Sequence, residues 1–499
     1  MELQFNKTMI PCLQQVKREI QNQEQTQQVR LPDGMPEIGS VLGAWGQVLL
    51  HSKQWQNGQM CISGGVMAWV LYKPEDGSQL QCTDAWIPFQ MKWELPQTER
   101  DGVMQASCYL RSIDARSISA RKLMIRASVG VLGEAWINSE MMLYEPLDLP
   151  KDVQIKKNTY PLRLPCEAGE KPFALEETFS LPASMPRMEK LIRYALEPQI
   201  LEQKVMGGKL VFRGNCNLHV VYIADDGAVY AYDFDMPFSQ YSDLDHDYDL
   251  DATAQITPVI TSIELDADEQ ARLNLKAAMS AQYVIDSRMM VDVAEDAYSP
   301  KREVTVNTCA QQLPMILEQD NKMLCAEKDL QLQLMRVADV CFYPDYPQLQ
   351  REENQLCAQL SGHFQILYYD LEGALQSAGS RWIDDWQINA DEQTNMQVFL
   401  TLSSRPNAVI AGTDAELHAD MQLHTCAISQ APFETISSLE LGEERKPDPN
   451  RPSLILRRVG EEKLWDIAKC TGTSVDAIKA ANHLADEPAV GQMLLIPIK

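Results

Sequence analysis

Three stretches of the chain repeat one pattern, and that repetition constrains the fold more than any other feature. They are "ISGGVMAWVLYKPEDG" (Ile62 to Gly77), "FRGNCNLHVVYIADDG" (Phe212 to Gly227) and "CAQLSGHFQILYYDLEG" (Cys357 to Gly373). In each, an alternating apolar run ends at a tyrosine: Tyr72, Tyr222 or Tyr368. A glycine follows five residues later, at Gly77, Gly227 or Gly373. Alternation of period two predicts a half-buried strand, and the acidic residues before each glycine predict a tight turn. The match extends outward. "LPDGMPEI" begins at Leu31 and "LPASMPRM" at Leu181, an offset of 150 residues that Tyr72 and Tyr222 share. Leu123 lies 51 residues after Tyr72, and Leu273 lies 51 after Tyr222. "ARKLMIRASVGV", "QARLNLKAAMSA" and "DAELHADMQLHT" close the three units with a further strand.

The expected fold is therefore mainly β: three tandem β-rich repeats, each sandwich- or barrel-like. They are placed at 27–150, 170–300 and 301–434. The third is degenerate, with Leu360 where the others have Gly64 and Gly214, and without the Leu-Pro entry motif. Residues 1–26 read as an N-terminal helical segment because the run Ile10 to Ile20 is amphipathic. Residues 435–452, "TISSLELGEERKPDPNRP", are polar and Pro-rich and read as a linker. Residues 453–499 stand apart as a small module.

With 499 residues the chain has room for several cores, and its formal charge is −26. That charge argues against nucleic acid as a partner, since phosphates must be neutralised by Lys and Arg. It also argues against charge-driven docking on anionic lipid and favours partners with basic patches. No run reaches the ~18 apolar residues of a membrane span, and the first 26 residues lack the apolar core of a secretory signal. Twelve scattered cysteines without a CxxC pair read as small buried hydrophobes of a reducing compartment.

Catalytic chemistry finds no foothold. There is no GxSxG, HExxH or P-loop, so no catalytic residue, cofactor or nucleotide site is expected, and the chain reads as a non-enzyme. "SDLDHDYDLDA" carries Asp at 243, 245, 247, 249 and 251, but a calcium loop starting at Asp243 needs Gly and Glu where Tyr248 and Ala254 stand. It reads as a solvated segment with Leu244, Tyr248 and Leu250 turned inward. The seven histidines, His363, His418 and His424 among them, sit in no cluster of metal-ligand spacing, so no metal site is expected.

In the C-terminal module, "SLILRRV" alternates as a strand. Leu464, Ile467 and Ala468 recur at helical spacing beside Trp465, and Gly472 ends that helix. Ser474 can cap a second helix with Val475, Ile478 and Ala481 on its apolar face, and "QMLLIPIK" closes with a strand. The order is strand, helix, helix, strand, with Leu464, Ile467, Ile478 and Leu495 expected in the core. The Leu464-Trp465-Ile467-Ala468 set, the "GTSVDAIKAAN" run to Asn482, and Gly491-Gln492 with Ile496-Pro497 resemble a LysM domain. The resemblance implies a shallow groove for N-acetylglucosamine glycans, walled by the loop after the first strand and the loop before the second. Its candidate binding residues here are Gly460, Glu461, Glu462, Lys463, Leu484, Asp486 and Glu487. Where that family commonly has Gly-Asp-Thr, this chain has Gly460-Glu461-Glu462-Lys463, whose solvated charges crowd a groove for neutral sugar and favour protein binding.

"LPDGMPEIGSVL" followed by "GGVMAWVLY" is similar to the SPOCS domain of spore-forming Firmicutes. Tandem SPOCS domains followed by one LysM resemble the sporulation proteins of the SipL type. That resemblance implies a non-enzymatic scaffold in the mother-cell cytoplasm, at the forespore surface. Its LysM would contact the coat-morphogenesis ATPase during spore-coat assembly. The alternative is a peptidoglycan-binding protein of the wall or cortex.

Overall fold

A computed structural model describes residues 2–3, 5–95, 102–147, 149–268, 270–311, 315–352, 355–388, 394–429, 433–445 and 452–498. After the short β1 (Glu2–Leu3), the first unit contains β2 (Phe5–Arg30), β3 (Ile38–Gln56), β4 (Gln59–Pro74), β5 (Gln81–Glu94), β6 (Gly102–Ser119) and β7 (Lys122–Pro146). The second contains β8 (Gln154–Phe179), β9 (Met188–Val205), β10 (Gly207–Ala224), β11 (Val229–Tyr248), β12 (Thr253–Ala267) and β13 (Leu273–Tyr298). After β14 (Arg302–Gln311), the third contains β15 (Met315–Leu330), β16 (Leu334–Pro344), β17 (Gln348–Glu352), β18 (Gln355–Asp370), β19 (Leu375–Ile388), β20 (Thr394–Leu402), β21 (Asn407–Ala411) and β22 (Asp414–Ser429). The chain ends with β23 (Phe433–Glu444), β24 (Leu454–Arg458), α1 (Leu464–Thr471), α2 (Val475–Asn482) and β25 (Met493–Pro497).

Each unit is a two-layer antiparallel sandwich with one strand order. The first pairs β3-β4-β5 with β2-β7-β6, and the second pairs β9-β10-β11 with β12-β13-β8. The third repeats this with β16 and β17, β18 and β19 over β15, β22 and β20, with β21 added beside β22. Each encloses its own apolar cluster. A three-stranded sheet cannot hide its apolar face alone, so the layers must pair.

The repeated residues occupy matching places. Tyr72 and Tyr222 are fully buried on the middle strands β4 and β10. Their hydroxyls donate to the carbonyls of Pro36 and Pro186 at 3.1 and 3.2 Å, across the same separation of 36 residues. Gly77, Gly227 and Gly373 have φ of 73°, 78° and 79°, the left-handed turn conformation in which a side chain is costly. Gly64 and Gly214 answer to close approach instead. A Cβ on Gly64 would lie 2.2 Å from the Leu49 carbonyl and 2.7 Å from the Phe89 ring. On Gly214 it would lie 2.2 Å from the Gln199 carbonyl and 2.4 Å from the Phe238 ring. Each glycine directly faces that phenylalanine across the ladder, so the ring covers the bare backbone.

In the third unit the pair is inverted. Leu360 faces Asp384, so the bulk stands on the middle strand and the neighbour is small. The edge strand cannot crowd over Leu360, and it breaks there into β16 and β17.

The middle strands are buried on both faces at their ends, not half-buried. Ala68 to Tyr72 are all buried, as are Leu218 to Ala224. The residue before each tyrosine, Leu71, Val221 or Leu367, points away from its own sandwich. All three enter one cluster with Leu42, Trp45, Ile192, Ile223, Val229, Ala338, Cys341 and Leu375. The three units thus share a core. Beside it, Arg193 pairs with Asp339 where both are almost fully buried. His219 bridges Asp233 and Asp339 at 2.8 and 2.9 Å. Burial alone would push the Asp339 carboxyl up, but Arg193, His219 and Arg405 outweigh it and hold it far below the usual range.

Two boundaries need correction. Residues 5–30 form a strand, not a helix: β2 pairs with β7 along its whole length. A register shift between Gln15 and Lys17 carries Val16 out of the ladder, and this break in alternation mimics helical spacing. The linker 435–452 is strand through Glu444, because β23 pairs with both β1 and β14. Residues 446–451 of it lie outside the described residues. In the Asp-rich segment Leu244 and Tyr248 are half-buried, but Leu250 lies past the strand end and is 80% exposed.

Asp339→Ala leaves Arg193 buried without its counter-charge and should cost about 3–5 kcal/mol, read as a lowered calorimetric transition. Gly214→Ala should cost about 3 kcal/mol or more because backbone must move. Gly227→Ala meets open space and should cost only the left-handed strain of about 1–2 kcal/mol. Equal losses at the two glycines would contradict the packing described.

Candidate functional site

The C-terminal module has the expected strand-helix-helix-strand order, with β24 and β25 paired antiparallel. Ser474 caps α2, its hydroxyl accepting from the Ala477 amide at 3.2 Å. Gly472, at φ 65°, closes α1. Leu464, Ile467 and Ile478 are fully buried as expected. Leu495 is not. It is 38% exposed, and Leu494 and Ile496 face the core instead, a one-residue change of face.

That change creates a surface. Leu456 faces Leu495 across the ladder, Leu454 faces Pro497 and Arg458 faces Met493. Leu454, Leu456, Met493 and Leu495 are 53%, 64%, 49% and 38% exposed on one side of a two-stranded sheet. An outer sheet face is ordinarily polar, and a contiguous apolar patch rimmed by charge is a common mark of a binding surface.

The rim comes from the predicted loops. Gly460, Glu461, Glu462 and Lys463 are exposed, as are Asp486 and Glu487, while Leu484 is half-buried against the module core. The two loops are joined directly, since the Glu487 carboxylate accepts from the Leu464 amide at 2.8 Å, at the start of α1. That bond spans the gap between the walls and uses a helix-end donor. Glu462 reaches Arg457 at 2.7 Å. Glu487 and Glu462 therefore act within the module, leaving Glu461, Lys463 and Asp486 to characterise the rim.

The opposite flank of α1 is occupied by the second sandwich. The Trp465 indole donates to Asp296 at 2.8 Å, and Lys469 reaches both oxygens of the same carboxylate at 2.8 Å. The Tyr298 hydroxyl donates to the Thr473 carbonyl at 2.8 Å. Its ring meets Trp465 edge-on at 4.8 Å and joins the module's apolar cluster. Trp465 is thus a docking residue between module and body. β23 runs beside the end of β13 and delivers the chain to this place. Burial would raise the Asp296 carboxyl, but hydrogen bonds from Lys469 and Trp465 outweigh it and lower it.

A family model described as SipL, SPOCS domain matches residues 187–268, which run from β9 to the end of β12. A LysM domain model matches residues 461–497. This pair of domains matches the SPOCS-plus-LysM sporulation type. No curated protein and no solved structure matches it. Both matched domains are binding modules without catalytic chemistry of their own. Among the described residues, no helix of this SPOCS-plus-LysM chain is long and apolar enough to cross a membrane.

The sequence reading missed the apolar sheet face and the Asp296–Tyr298 dock. Strand alternation in "SLILRRV" marks half of the first, and the second has no local signal. Histidine spacing also concealed a cluster: Cys325, Glu327 and His418 place ligand atoms within 4.8 Å of one another.

Asp296 titrates lower folded than unfolded, so the docking contact is intact above the ordinary carboxylate pKa of about 4 and is lost as pH falls through the lowered value. Hydrogen exchange over Leu464–Thr471, measured relative to the intrinsic rate at each pH, should therefore accelerate on acidification while the sandwich strands stay protected. Asp296→Asn should bring the same acceleration at neutral pH. Unchanged protection of α1 in that variant would refute the dock.

Proposed function

We propose that this chain is a non-enzymatic scaffold of spore-coat assembly in the mother cell. All three sandwiches act as SPOCS units, and the LysM module holds the coat-morphogenesis ATPase. The matched domains support a sporulation role. The common strand order supports extending the SPOCS assignment to the first and third units. The observation that carries the binding mode is the exposed apolar face of Leu454, Leu456, Met493 and Leu495 beside the charged loops. A neutral sugar chain needs a cleft with close polar groups, whereas an apolar patch with a charged rim suits a protein. The Glu487 bond across the loops favours the same reading over a glycan groove. The rim Glu461 and Asp486 would meet basic side chains, which steers encounter more than it adds affinity.

The test uses the full chain and the purified ATPase. Leu456→Asp and Leu495→Asp should each weaken binding by about 2 kcal/mol or more, the scale of an interface anchor. Glu461→Lys should slow association and flatten its dependence on ionic strength. Unaltered affinity in both leucine variants, or saturable binding of the unsubstituted chain to N-acetylglucosamine oligomers, would overturn the reading in favour of the glycan alternative.

A further inference from the structure

The third sandwich gathers a set of side chains that the scaffold role does not use. β15 and β22 pair antiparallel with Cys325 opposite Asp420 and Glu327 opposite His418. Residues two apart on a strand share a face, so these four side chains form one square on the outside of the sheet. Ala326 and Ala419, between them in each strand, are fully buried on the inner side. The Cys325 sulfur and His418 Nδ1 are 4.0 Å apart, and the ligand atoms of Cys325, Glu327 and His418 all fall within 4.8 Å. Asp420 stands beside this trio, directly opposite Cys325 across the ladder.

We propose that Cys325, Glu327, His418 and Asp420 form a binding site for a zinc-class divalent cation. One sulfur, one imidazole nitrogen and two carboxylates suit a borderline ion, whereas calcium and magnesium prefer oxygen alone. Zinc bond lengths at tetrahedral angles set a sulfur-to-nitrogen separation of about 3.6 Å, so the observed 4.0 Å needs only a small rotation to close. His418 is also oriented for the task. Its Nδ1 faces Cys325, while Nε2 lies 3.8 Å from the Glu416 carboxylate, which has to swing closer to give a histidine ligand its usual hydrogen-bonded support. Asp420 is held in turn by the Ser404 hydroxyl at 3.0 Å. Binding takes one proton from the Cys325 thiol and releases it to solvent, with His418 neutral, so affinity rises with pH. The bound ion would fasten β15 to β22 and offset two neighbouring carboxylates on one face.

The experiment uses the reduced, chelator-treated full chain, titrated with cobalt(II) and then with zinc(II). One cobalt per chain is expected, with a thiolate-to-cobalt charge-transfer band that zinc removes. Cys325→Ser should abolish the band, and Cys470→Ser, which alters an exposed cysteine in the module, should leave it unchanged. Supporting groups of a metal ligand are worth about 10–100-fold in affinity, so His418→Gln should weaken zinc binding by at least tenfold and Glu416→Gln by about tenfold. The metal-free variants should melt like the metal-free parent, since the substituted side chains lie on the surface. Should Cys325→Ser fail to fold, Glu327→Gln and His418→Gln carry the same reading. No charge-transfer band in the parent chain, a band that survives Cys325→Ser, or zinc affinity unmoved in both Glu327→Gln and His418→Gln would overturn the site.

Discussion

The middle strands β4, β10 and β18 each serve two cores at once, and the rest of the architecture follows from that. Their inward residues fill a sandwich. Their outward residues, Leu71, Val221 and Leu367, meet between the units. A strand buried on both faces must read as a nearly continuous apolar run, as "AWVLY" and "HVVYI" do. Within each of the first two units, Gly64 or Gly214 lets the adjacent strand's carbonyl approach the middle strand closely while a phenylalanine of the same sheet covers the bare backbone. With apolar surface consumed on both sides, the formal charge of −26 is carried toward the outside. The buried Arg193–Asp339–His219 cluster is an exception, and it lies where two sandwiches meet.

Much of this was legible in the chain because its signals are local. Tyrosine, turn glycine and period-two alternation act within a few residues, and an offset of 150 residues recurs only if whole domains recur. What failed depended on register. Ile10 and Leu13 pack on opposite faces of β2, and a bulge near Val16 then interrupts the alternation, so Ile10, Leu13, Val16 and Ile20 mimic helical spacing. Leu495 sits one step along β25 from the core-facing Leu494 and Ile496, and a single step moves a side chain to the other face of a strand. His418 looked isolated because its neighbours, Cys325 and Glu327, lie some 90 residues away on the facing strand. The candidate loops are legible from the LysM resemblance, but the pairing of Glu487 with the start of α1 belongs to the folded module alone.

The module is seated, not merely tethered. Asp296 accepts from both Trp465 and Lys469, and Tyr298 completes the module's apolar cluster. In a domain this small a borrowed aromatic ring is a sizeable part of the core. The seat also fixes which surfaces are available: the flank of α1 is taken by the body, while the outer sheet face and the two loops remain open.

The shared core has a consequence for descent. Duplicated domains that remain beads on a string can diverge, be lost or be reshuffled one by one. Copies fused through a common interior cannot, because each supplies part of its siblings' packing. The third unit illustrates the bargain. It has given up the entry motif, the close-approach glycine and one unbroken edge strand, yet it keeps Leu367 where Leu71 and Val221 stand. What it lacks lies within its own sandwich, and what it keeps is the residue that faces its siblings.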